Sequence, residues 1–343
     1  MKTTILSLAV LCISAQSTFS QNRDSSDFYL NKANVARQER RIQLALNLYD
    51  KAVKFDTTNI PAVKTLGDYA LETRNFRIAL EAYTLWNRRD PSNEETLPKL
   101  AGIYFNFGRY KDALSCAEQW EQKHKDKPLH YISGMSHYYL ENYPFAINRL
   151  LYAAETDSTN AQLYYTIGRS YVEMERYTQA IPFYKKAATF DTKNPRYVYE
   201  MGMVYYSIPD DKNAIAMFEL AAERGWVQNA DYFENLAYGY MNIGNFTKAT
   251  ELLQKSLEKR PYSVGVTYAL AESQYKSGQF QNAIQNWDKV LQVDVKNARS
   301  LYMIGMCYQK MGQKEMGMAL CDKAIEMDPS LSSLKQKKMN MGL

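Results

Sequence analysis

Few residues in this chain have the types and spacing that catalysis or metal binding needs. The three histidines are His124, His130 and His137, and the spacing of the last two places them on one face of a helix. Zinc prefers imidazole and thiolate, so Cys116 is the nearest further candidate, but no spacing supports it as a ligand. A metal site would need a third and a fourth ligand. We therefore predict packed histidines and no metal site.

The motifs of common enzyme classes do not occur. The chain has no glycine-rich phosphate loop, no GxSxG nucleophile turn and no HExxH zinc motif. Carboxylates are plentiful, but no pair stands out by its spacing. We therefore predict a protein that is not an enzyme and that has no catalytic residues and no cofactor.

The amino-acid composition limits the classes of protein to which the chain can belong. With 343 residues, of which 46% are hydrophobic and 23% charged, the chain has the make-up of a folded protein. Its mean hydropathy of −0.48 excludes a polytopic membrane protein. The net charge of +5 is spread along the sequence, so no nucleic-acid partner is expected. Tyrosine is frequent, at 28 residues against 13 Phe and 4 Trp, which indicates rings that pack while their hydroxyls stay bonded or wet.

The N-terminus has the pattern of a secretory signal peptide. Lys2 is followed by the apolar run Ile5–Ile13 and then by small and polar residues. The apolar run is too short to span a bilayer. We predict a signal peptide over residues 1–20 with cleavage after Ser20, and cleavage after Ser17 is an alternative. The mature chain is then expected in the periplasm or cell envelope of a Gram-negative bacterium.

The cysteines indicate neither a lipid anchor nor a disulfide framework. Cys12 follows Leu11, where a lipoprotein signal has a small residue, so lipidation is not expected. The mature chain keeps Cys116, Cys307 and Cys321, which is an odd number. A pairing of Cys307 with Cys321 stays open beside the simpler expectation of buried free thiols. No segment of the mature chain is apolar over enough length to be a membrane span.

The sequence repeats itself with a period of 34 residues or within one of it. Every repeat has Gly or Ala at its eighth and its twentieth position, because two helices that cross closely leave no room for larger side chains. The repeats in this register are 26–59, 60–93, 94–126, 127–160, 161–194, 195–229, 230–263, 264–297 and 298–331. The eighth-position residues are Ala33, Gly67, Ala101, Gly134, Gly168, Gly202, Ala237, Ala271 and Gly305.

This period and pattern resemble the tetratricopeptide repeat, and the resemblance covers nearly the whole mature chain. It implies an all-α fold, a right-handed superhelical solenoid of about nine helix-turn-helix repeats over residues 26–331. Residues 21–25 are then an N-terminal stub, and residues 332–343 a tail that caps the last repeat. The boundaries of the first repeat are the least regular, since Lys32 and Ala36 stand where large apolar residues are expected.

The resemblance also implies a binding groove. In this family the first helix of each repeat lines a concave groove through positions 2, 5, 9, 12 and 13, which we call the inner face. From the fourth repeat to the ninth, these positions carry many Tyr and Met residues, which are enriched at interfaces and adapt to a partner. The predicted groove residues are Tyr131, Met135, Tyr138, Tyr165, Arg169, Tyr199, Met203, Tyr206, Tyr238, Tyr268, Tyr275, Tyr302 and Met306.

Two interpretations of these tyrosines stay open. They could pack against the helix of the next repeat, or they could form a groove for a protein or peptide, and we favour the groove. A glycan or cell-wall polymer is the alternative ligand. Association with a membrane through partners also stays open. The family's clamp for a C-terminal carboxylate is not expected, because Lys64 is accompanied by Asp68, whose charge would repel that ligand.

Overall fold

The computed structural model describes residues 22–333, which form helices joined by short connections. The predicted signal peptide and residues 334–343 of the predicted capping tail lie outside the described residues. The chain divides into two compact units, Met1–Ser158 and Thr159–Leu343. Each unit is a series of antiparallel helical pairs without β-strands in its described part. The prediction of an all-α chain of about nine helix-turn-helix repeats is confirmed.

The first unit contains four helical pairs. Its helices are α1 over residues 22–38, α2 (Ile42–Phe55), α3 (Ile60–Glu72), α4 (Phe76–Arg89), α5 (Thr96–Asn106), α6 (Tyr110–Lys123), α7 (His130–Tyr139) and α8 (Tyr143–Thr156). Residues 22–25, which the sequence assigned to a stub, are part of α1.

The second unit contains five helical pairs and a short 3-10 turn, Pro329–Leu331. Its helices are α9 (Ala161–Glu173), α10 (Tyr177–Phe190), α11 (Pro195–Ser207), α12 (Asp211–Glu223), α13 (Ala230–Asn242), α14 (Phe246–Lys259), α15 (Val264–Lys276), α16 (Phe280–Val293), α17 (Ala298–Lys310) and α18 (Lys314–Met327).

The two helices of a pair approach most closely at the small residues of positions 8 and 20. A Cβ atom added to Gly202 would lie 2.8 Å from the ring of Phe218, and one added to Gly168 would lie 3.0 Å from the ring of Tyr184. Ala180 and Ala214 on the opposing helices are fully buried. The 34-residue recurrence of Gly and Ala therefore follows from close helix packing.

The turn between the helices of a pair requires a left-handed residue at position 15. Glycine supplies it in several repeats, for example Gly244 with φ of 79°. Other repeats place a residue with a side chain there, such as Arg74 with φ of 59° and Glu175 with φ of 57°. The turn geometry is thus common to these repeats even where the sequence has no glycine.

Large aromatic residues at position 24 fill the space between helices. Among the largest fully buried side chains are Tyr49, Tyr83, Tyr184, Phe218 and Trp287. The tyrosines among them keep their hydroxyls bonded. The Tyr49 hydroxyl lies 2.7 Å from Asn34 Oδ1, and the Tyr83 hydroxyl donates to Asp68 over 2.6 Å. Part of the tyrosine excess is therefore explained by core rings that each need one polar partner.

Candidate partner-binding surface

The structure buries three of the predicted groove residues, which corrects their interpretation as exposed contacts. Tyr165 is 5% exposed, Tyr302 is 4% exposed and Met135 is 4% exposed. Tyr302 packs with Cys321, Ala324 and the terminal Leu331. These side chains stabilise the fold and offer little surface to a partner.

Tyr165 is buried because the next repeat supplies a polar group for its hydroxyl. The hydroxyl donates to Glu200 Oε1 over 2.8 Å, and the hydroxyl of Tyr184 donates to Glu200 Oε2 over 3.1 Å. Burial, reinforced by the charge of Glu200, raises the pKa of Tyr165. One carboxylate thus ties together a ring of the inner face and a ring of the core. Tyr165 therefore packs within the fold, as the first of the two interpretations has it.

Tyr199 and Met203 sit side by side on α11 and remain partly accessible. The Tyr199 ring stacks on Trp226 at 4.1 Å, and the amide of Asn235 donates to the Tyr199 hydroxyl over 2.8 Å. The same amide lies 3.3 Å from the sulfur of Met203, which is 36% exposed. Trp226 follows α12 in repeat 195–229, which is one residue longer than the 34-residue period, and its ring packs against the inner-face residue Tyr199.

Tyr206 and Tyr238 are half-buried residues of α11 and α13. Burial raises the pKa of Tyr238, and the charge of Glu234, the neighbouring Tyr206 and the charge of Glu272 raise it further. These residues therefore share one electrostatic environment. Tyr206 and Tyr238 both pack against the core cluster that contains Phe233 and Leu236. Each of these side chains therefore packs on the core and is still partly exposed.

Two carboxylates near these rings differ in their hydrogen-bond and ion-pair partners. Glu234 accepts from Ser256 over 2.9 Å and pairs with Arg260 at 3.3 Å, and Arg260 also pairs with Asp231 at 2.6 Å. Glu272 makes no ion pair or hydrogen bond with residues 22–333, although its charge acts on both Tyr238 and Tyr268. Arg299 acts on the same Tyr268 side chain more strongly than Glu272 does, so charges of both signs lie beside this ring.

The remaining predicted residues of this unit complete the surface. Tyr268 and Tyr275 pack edge-on or tilted against Trp287, both at 6.1 Å, and both are half-buried. Met306 is half-buried beside the terminal core cluster. Arg169 is partly exposed and pairs with Glu173 at 3.3 Å. The tyrosine–methionine face is our name for the half-buried or exposed set Tyr199, Met203, Tyr206, Tyr238, Tyr268, Tyr275 and Met306.

In the first unit, the predicted residues Tyr131 and Tyr138 are accessible. Tyr131 is 39% exposed, and Tyr138 is half-buried with its ring 5.3 Å from that of Tyr139. A group of rings that sequence reasoning missed surrounds them. Tyr139 is 48% exposed and stacks on Tyr110 at 4.4 Å, while Phe105 lies 6.0 Å from Tyr139. Two adjacent tyrosines at the end of α7 were the available indication.

The histidines are packing residues. His130 Nδ1 lies 3.3 Å from Arg149, which pairs with Glu121 at 2.9 Å, and the His137 ring stacks on Phe145 at 5.4 Å. Burial and, second, the charge of Arg149 lower the pKa of both His130 and His137. In residues 22–333, no group of three His, Cys, Asp or Glu side chains could hold a metal ion.

The three cysteines of the described chain are buried free thiols. Burial raises the pKa of the Cys116 thiol to about 11 and that of Cys307 to about 12. Cys307 and Cys321 are therefore not paired in this structure. Thiols in this state are protonated near neutral pH and are poor nucleophiles.

Lys64 and Asp68 belong to a network of charges on the first unit. Lys64 pairs with Glu95, and Lys99 lies 2.6 Å from Asp68 and 3.2 Å from Glu95. The Lys99 ammonium and the Tyr83 hydroxyl hold the pKa of Asp68 low against its burial. The positive charge that a carboxylate clamp would require is already neutralised within the fold.

These helical pairs and their aromatic inner faces define a helical-repeat protein of the class that presents an extended binding surface. The sequence model of the tetratricopeptide repeat family matches residues 161–194 and 298–331, the same residues as the predicted fifth and ninth repeats. Two of the nine repeats thus match the tetratricopeptide repeat family model, as the sequence predicted. Proteins with this fold are generally scaffolds for protein interaction.

Known proteins resemble parts of the chain. The C-terminal part of a TPR repeat-containing protein from Cytophaga hutchinsonii is 18% identical, with a TM-score of 0.54 over 69% of this chain and 98% of that one. YrrB, described as a TPR protein with an unusual peptide-binding site, is 24% identical, with a TM-score of 0.49 over 55% of this chain and 97% of that one. The CTR9 homolog of Arabidopsis thaliana is 31% identical over 101 residues, 28% of this chain and 9% of that protein.

None of the helices between residues 22 and 333 has both the length and the apolar character that crossing a membrane requires.

Proposed function

We propose that this chain is a non-enzymatic scaffold that binds a protein or peptide partner through the tyrosine–methionine face of its second unit. The observation that carries the proposal is the set of partly exposed rings and thioethers on successive first helices, of which Met203 is 36% exposed. Tyr and Met offer large contact area at modest entropic cost, and they accommodate different side-chain shapes. An extended segment or a helix of a partner would lie along them.

One acidic side chain on this face, Glu272, has no direct ion-pair partner among residues 22–333 and could receive a basic side chain of the partner, although Arg299 also lies beside Tyr268. Glu272 is half-buried and lacks an ion pair among residues 22–333, and its charge acts on Tyr238 and Tyr268. A lysine or arginine of the partner placed there would gain both the carboxylate and the faces of the rings. The neighbouring Glu234 is already paired with Arg260 and adds less.

We propose further that the protein acts after export, in the periplasm or cell envelope of a Gram-negative bacterium. The support is the N-terminal pattern of Lys2, the apolar run Ile5–Ile13 and the small residues that follow. Mass determination of the protein recovered from the periplasm after expression of the whole chain is the test. We expect a mature N-terminus at Gln21, and an intact chain in the cytoplasm would contradict this part of the proposal.

Capture from an envelope extract tests the binding surface. The immobilised protein is compared with Tyr206→Ala/Tyr238→Ala, and retained proteins are identified by mass spectrometry. The control is Tyr262→Ala, because Tyr262 is 96% exposed and does not lie on the inner face. We expect the double variant to lose proteins that both wild type and control retain. If the correctly folded double variant retains the same proteins as the wild type, the tyrosine–methionine face is not the binding surface.

A glycan is the second candidate ligand, and the exposed rings of the first unit favour it. Phe107 is 45% exposed and Tyr139 is 48% exposed, so flat apolar surface is available there. Retention on purified peptidoglycan or envelope polysaccharide tests this ligand. Tyr139→Ala should reduce retention, while failure of the wild-type protein to bind any of these polymers counts against the glycan.

A further inference from the structure

Side chains from three helices meet at the start of α7, at a site that we call the α7 junction and define by Glu121, Leu129, His130 and Arg149. The Glu121 carboxylate of α6 accepts a hydrogen bond from the backbone N–H of Leu129 over 3.2 Å. Its other oxygen pairs with Arg149 of α8 at 2.9 Å. The Glu121 side chain is only 15% exposed, so this ion pair joins α6 and α8 at a mostly buried position.

The beginning of α7 depends on this junction. Leu129 precedes the helix and makes no side-chain cap, so the N–H groups at this end need a partner from elsewhere, and Glu121 supplies one. At ten residues, α7 is the shortest α-helix of residues 22–333. A helix of that length is held mainly by its contacts with neighbouring helices.

The contact between Arg149 and His130 fixes which ring nitrogen carries the proton. Arg149 Nη1 lies 3.3 Å from His130 Nδ1. A guanidinium group can only donate, so Nδ1 accepts with its lone pair and the proton of the neutral ring is on Nε2. A second proton would bind to Nδ1 itself. Protonation of His130 and its hydrogen bond from Arg149 therefore exclude each other.

His137 follows on the same face of α7 and is also poorly placed to hold a charge. Its Nδ1 is buried and has no hydrogen-bond partner within residues 22–333, and its ring stacks on Phe145 at 5.4 Å. A charged ring in such a position costs free energy, because no acceptor compensates it. The short helix α7 thus carries two titratable rings that fit their surroundings when they are neutral.

The groups of α6 and α8 that face the two histidines are four charged side chains and one tyrosine ring: Arg149, Glu118, Glu121, Glu155 and Tyr152. Burial and, second, Arg149 oppose protonation, whereas the three carboxylates favour it. Glu121 is already engaged with Arg149 and Leu129. The balance lowers the pKa of both histidines.

We propose that the α7 junction is an acid-sensitive switch, in which protonation of His130 and His137 releases Arg149 and separates the start of α7 from α6. The closed junction favours the neutral rings, so it is fully stable above about pH 6.5, the pKa of a free histidine, and loses stability as pH falls below that value. Because α7 carries Tyr131 and Tyr138, opening displaces accessible rings of the first unit.

Hydrogen exchange of the whole chain, followed by mass spectrometry between pH 8 and pH 5, tests the switch. Exchange is corrected for the intrinsic rate at each pH, so that protection is compared. We expect protection of residues 129–139 to fall below about pH 6.5, by up to about tenfold per pH unit for each histidine. The helix α3 of the same unit contains no histidine and should keep its protection. If α7 follows α3 at every pH, the proposal is wrong.

Matched substitutions separate the switch from a general loss of stability. His130→Asn keeps an acceptor for Arg149 that does not titrate, and His137→Phe keeps a ring. The double variant should remain protected down to pH 5. The control is His124→Gln, which removes the remaining histidine, stacked on Trp120 at 3.8 Å, and should keep the wild-type pH dependence. A double variant that is folded at pH 8 by circular dichroism and yet retains that dependence would overturn the proposal.

Nuclear magnetic resonance of the histidine rings gives a readout that needs no stable double variant. The single substitutions assign the three ring signals, and the wild-type protein is titrated. We expect the signals of His130 and His137 to titrate below pH 6.5, and a pKa of 6.5 or higher for either ring would contradict the switch. None of these results bears on the tyrosine–methionine face, which lies in the other unit.

Discussion

At the scale of single residues, the difference between a packing tyrosine and an accessible one depends on what the following repeat supplies. Tyr165 finds the carboxylate of Glu200 and is buried, whereas Tyr199 finds the amide of Asn235 and stays half-exposed on Trp226. Both occupy position 5, so the position alone does not decide their role. A hydroxyl without its partner would be an unsatisfied polar group at a buried site.

Removal of the Tyr165 hydroxyl should therefore destabilise the fold. Tyr165→Phe leaves Glu200 with one hydroxyl donor instead of two, and we expect a loss of about 1–2 kcal/mol of unfolding free energy. Tyr199→Phe, at the same position of the next repeat, should cost less because Tyr199 is less buried than Tyr165. Urea denaturation followed by circular dichroism measures both. Equal, negligible effects would contradict the hydrogen-bond account.

The helix crossing gives a second residue-scale prediction. A Cβ on Gly202 would lie 2.8 Å from the fully buried ring of Phe218, so Gly202→Ala forces the ring to move. We expect it to cost about 1–3 kcal/mol in spite of the better helix propensity of alanine. Gly102 is also helical, and nothing lies within 4 Å of its added Cβ. Gly102→Ala should then stabilise by about 0.5–1 kcal/mol, and stabilisation by both changes would contradict the packing explanation.

At the scale of elements, the turn between paired helices fixes a left-handed residue whether or not glycine is present. Glu175 takes φ of 57° in the turn between α9 and α10. Replacement by glycine relieves the steric cost of this conformation. Glu175→Gly should raise the unfolding free energy by about 0.5–1 kcal/mol, after the entropy that glycine adds to the unfolded chain. Gln179→Gly, in the first turn of α10, should lower it, and urea titration distinguishes the two signs.

Much of the element structure could be predicted from the sequence, and less of the surface. Gly and Ala at positions 8 and 20 fix the register, because close helix crossing constrains residue size directly. Exposure of the inner face depends on contacts between repeats, such as the one from Tyr165 to Glu200, which position numbers do not contain. The rings of Tyr110 and Tyr139 come together from different repeats, so neither repeat alone indicates their stacking.

At the scale of the whole molecule, buried acidic groups make the free energy of unfolding decrease at alkaline pH. Burial raises the pKa of Cys116 from 9.0 to about 11 and that of Cys307 to about 12, so the folded chain keeps protons that the unfolded chain releases. This contribution to stability is complete below about pH 9 and is lost as pH rises through the folded pKa values. Between its unfolded and folded pKa values, each group lowers the free energy of unfolding by up to about 1.4 kcal/mol per pH unit.

The melting temperature should therefore fall between about pH 9 and pH 11. Burial and the hydrogen bond to Glu219 raise the pKa of Tyr240 from 10.0 to about 12, so this tyrosine adds to the fall above about pH 10. Cys116→Ala/Cys307→Ala should reduce the steepness of the fall, since it removes two of the buried acids. A melting temperature that stays constant over this range would contradict the assignment of these thiols as buried and protonated.

The central claim is that the tyrosine–methionine face binds a partner, and an equilibrium titration of one captured partner tests it most directly. Calorimetry compares the wild-type chain with Tyr206→Ala/Tyr238→Ala and with the exposed control Tyr262→Ala. Truncation of one aromatic hot-spot residue costs about 2 kcal/mol or more, so the double variant should bind at least tenfold more weakly even if only one of the two rings is a hot spot. The control should match the wild type. Equal affinities for all three folded proteins would contradict the account.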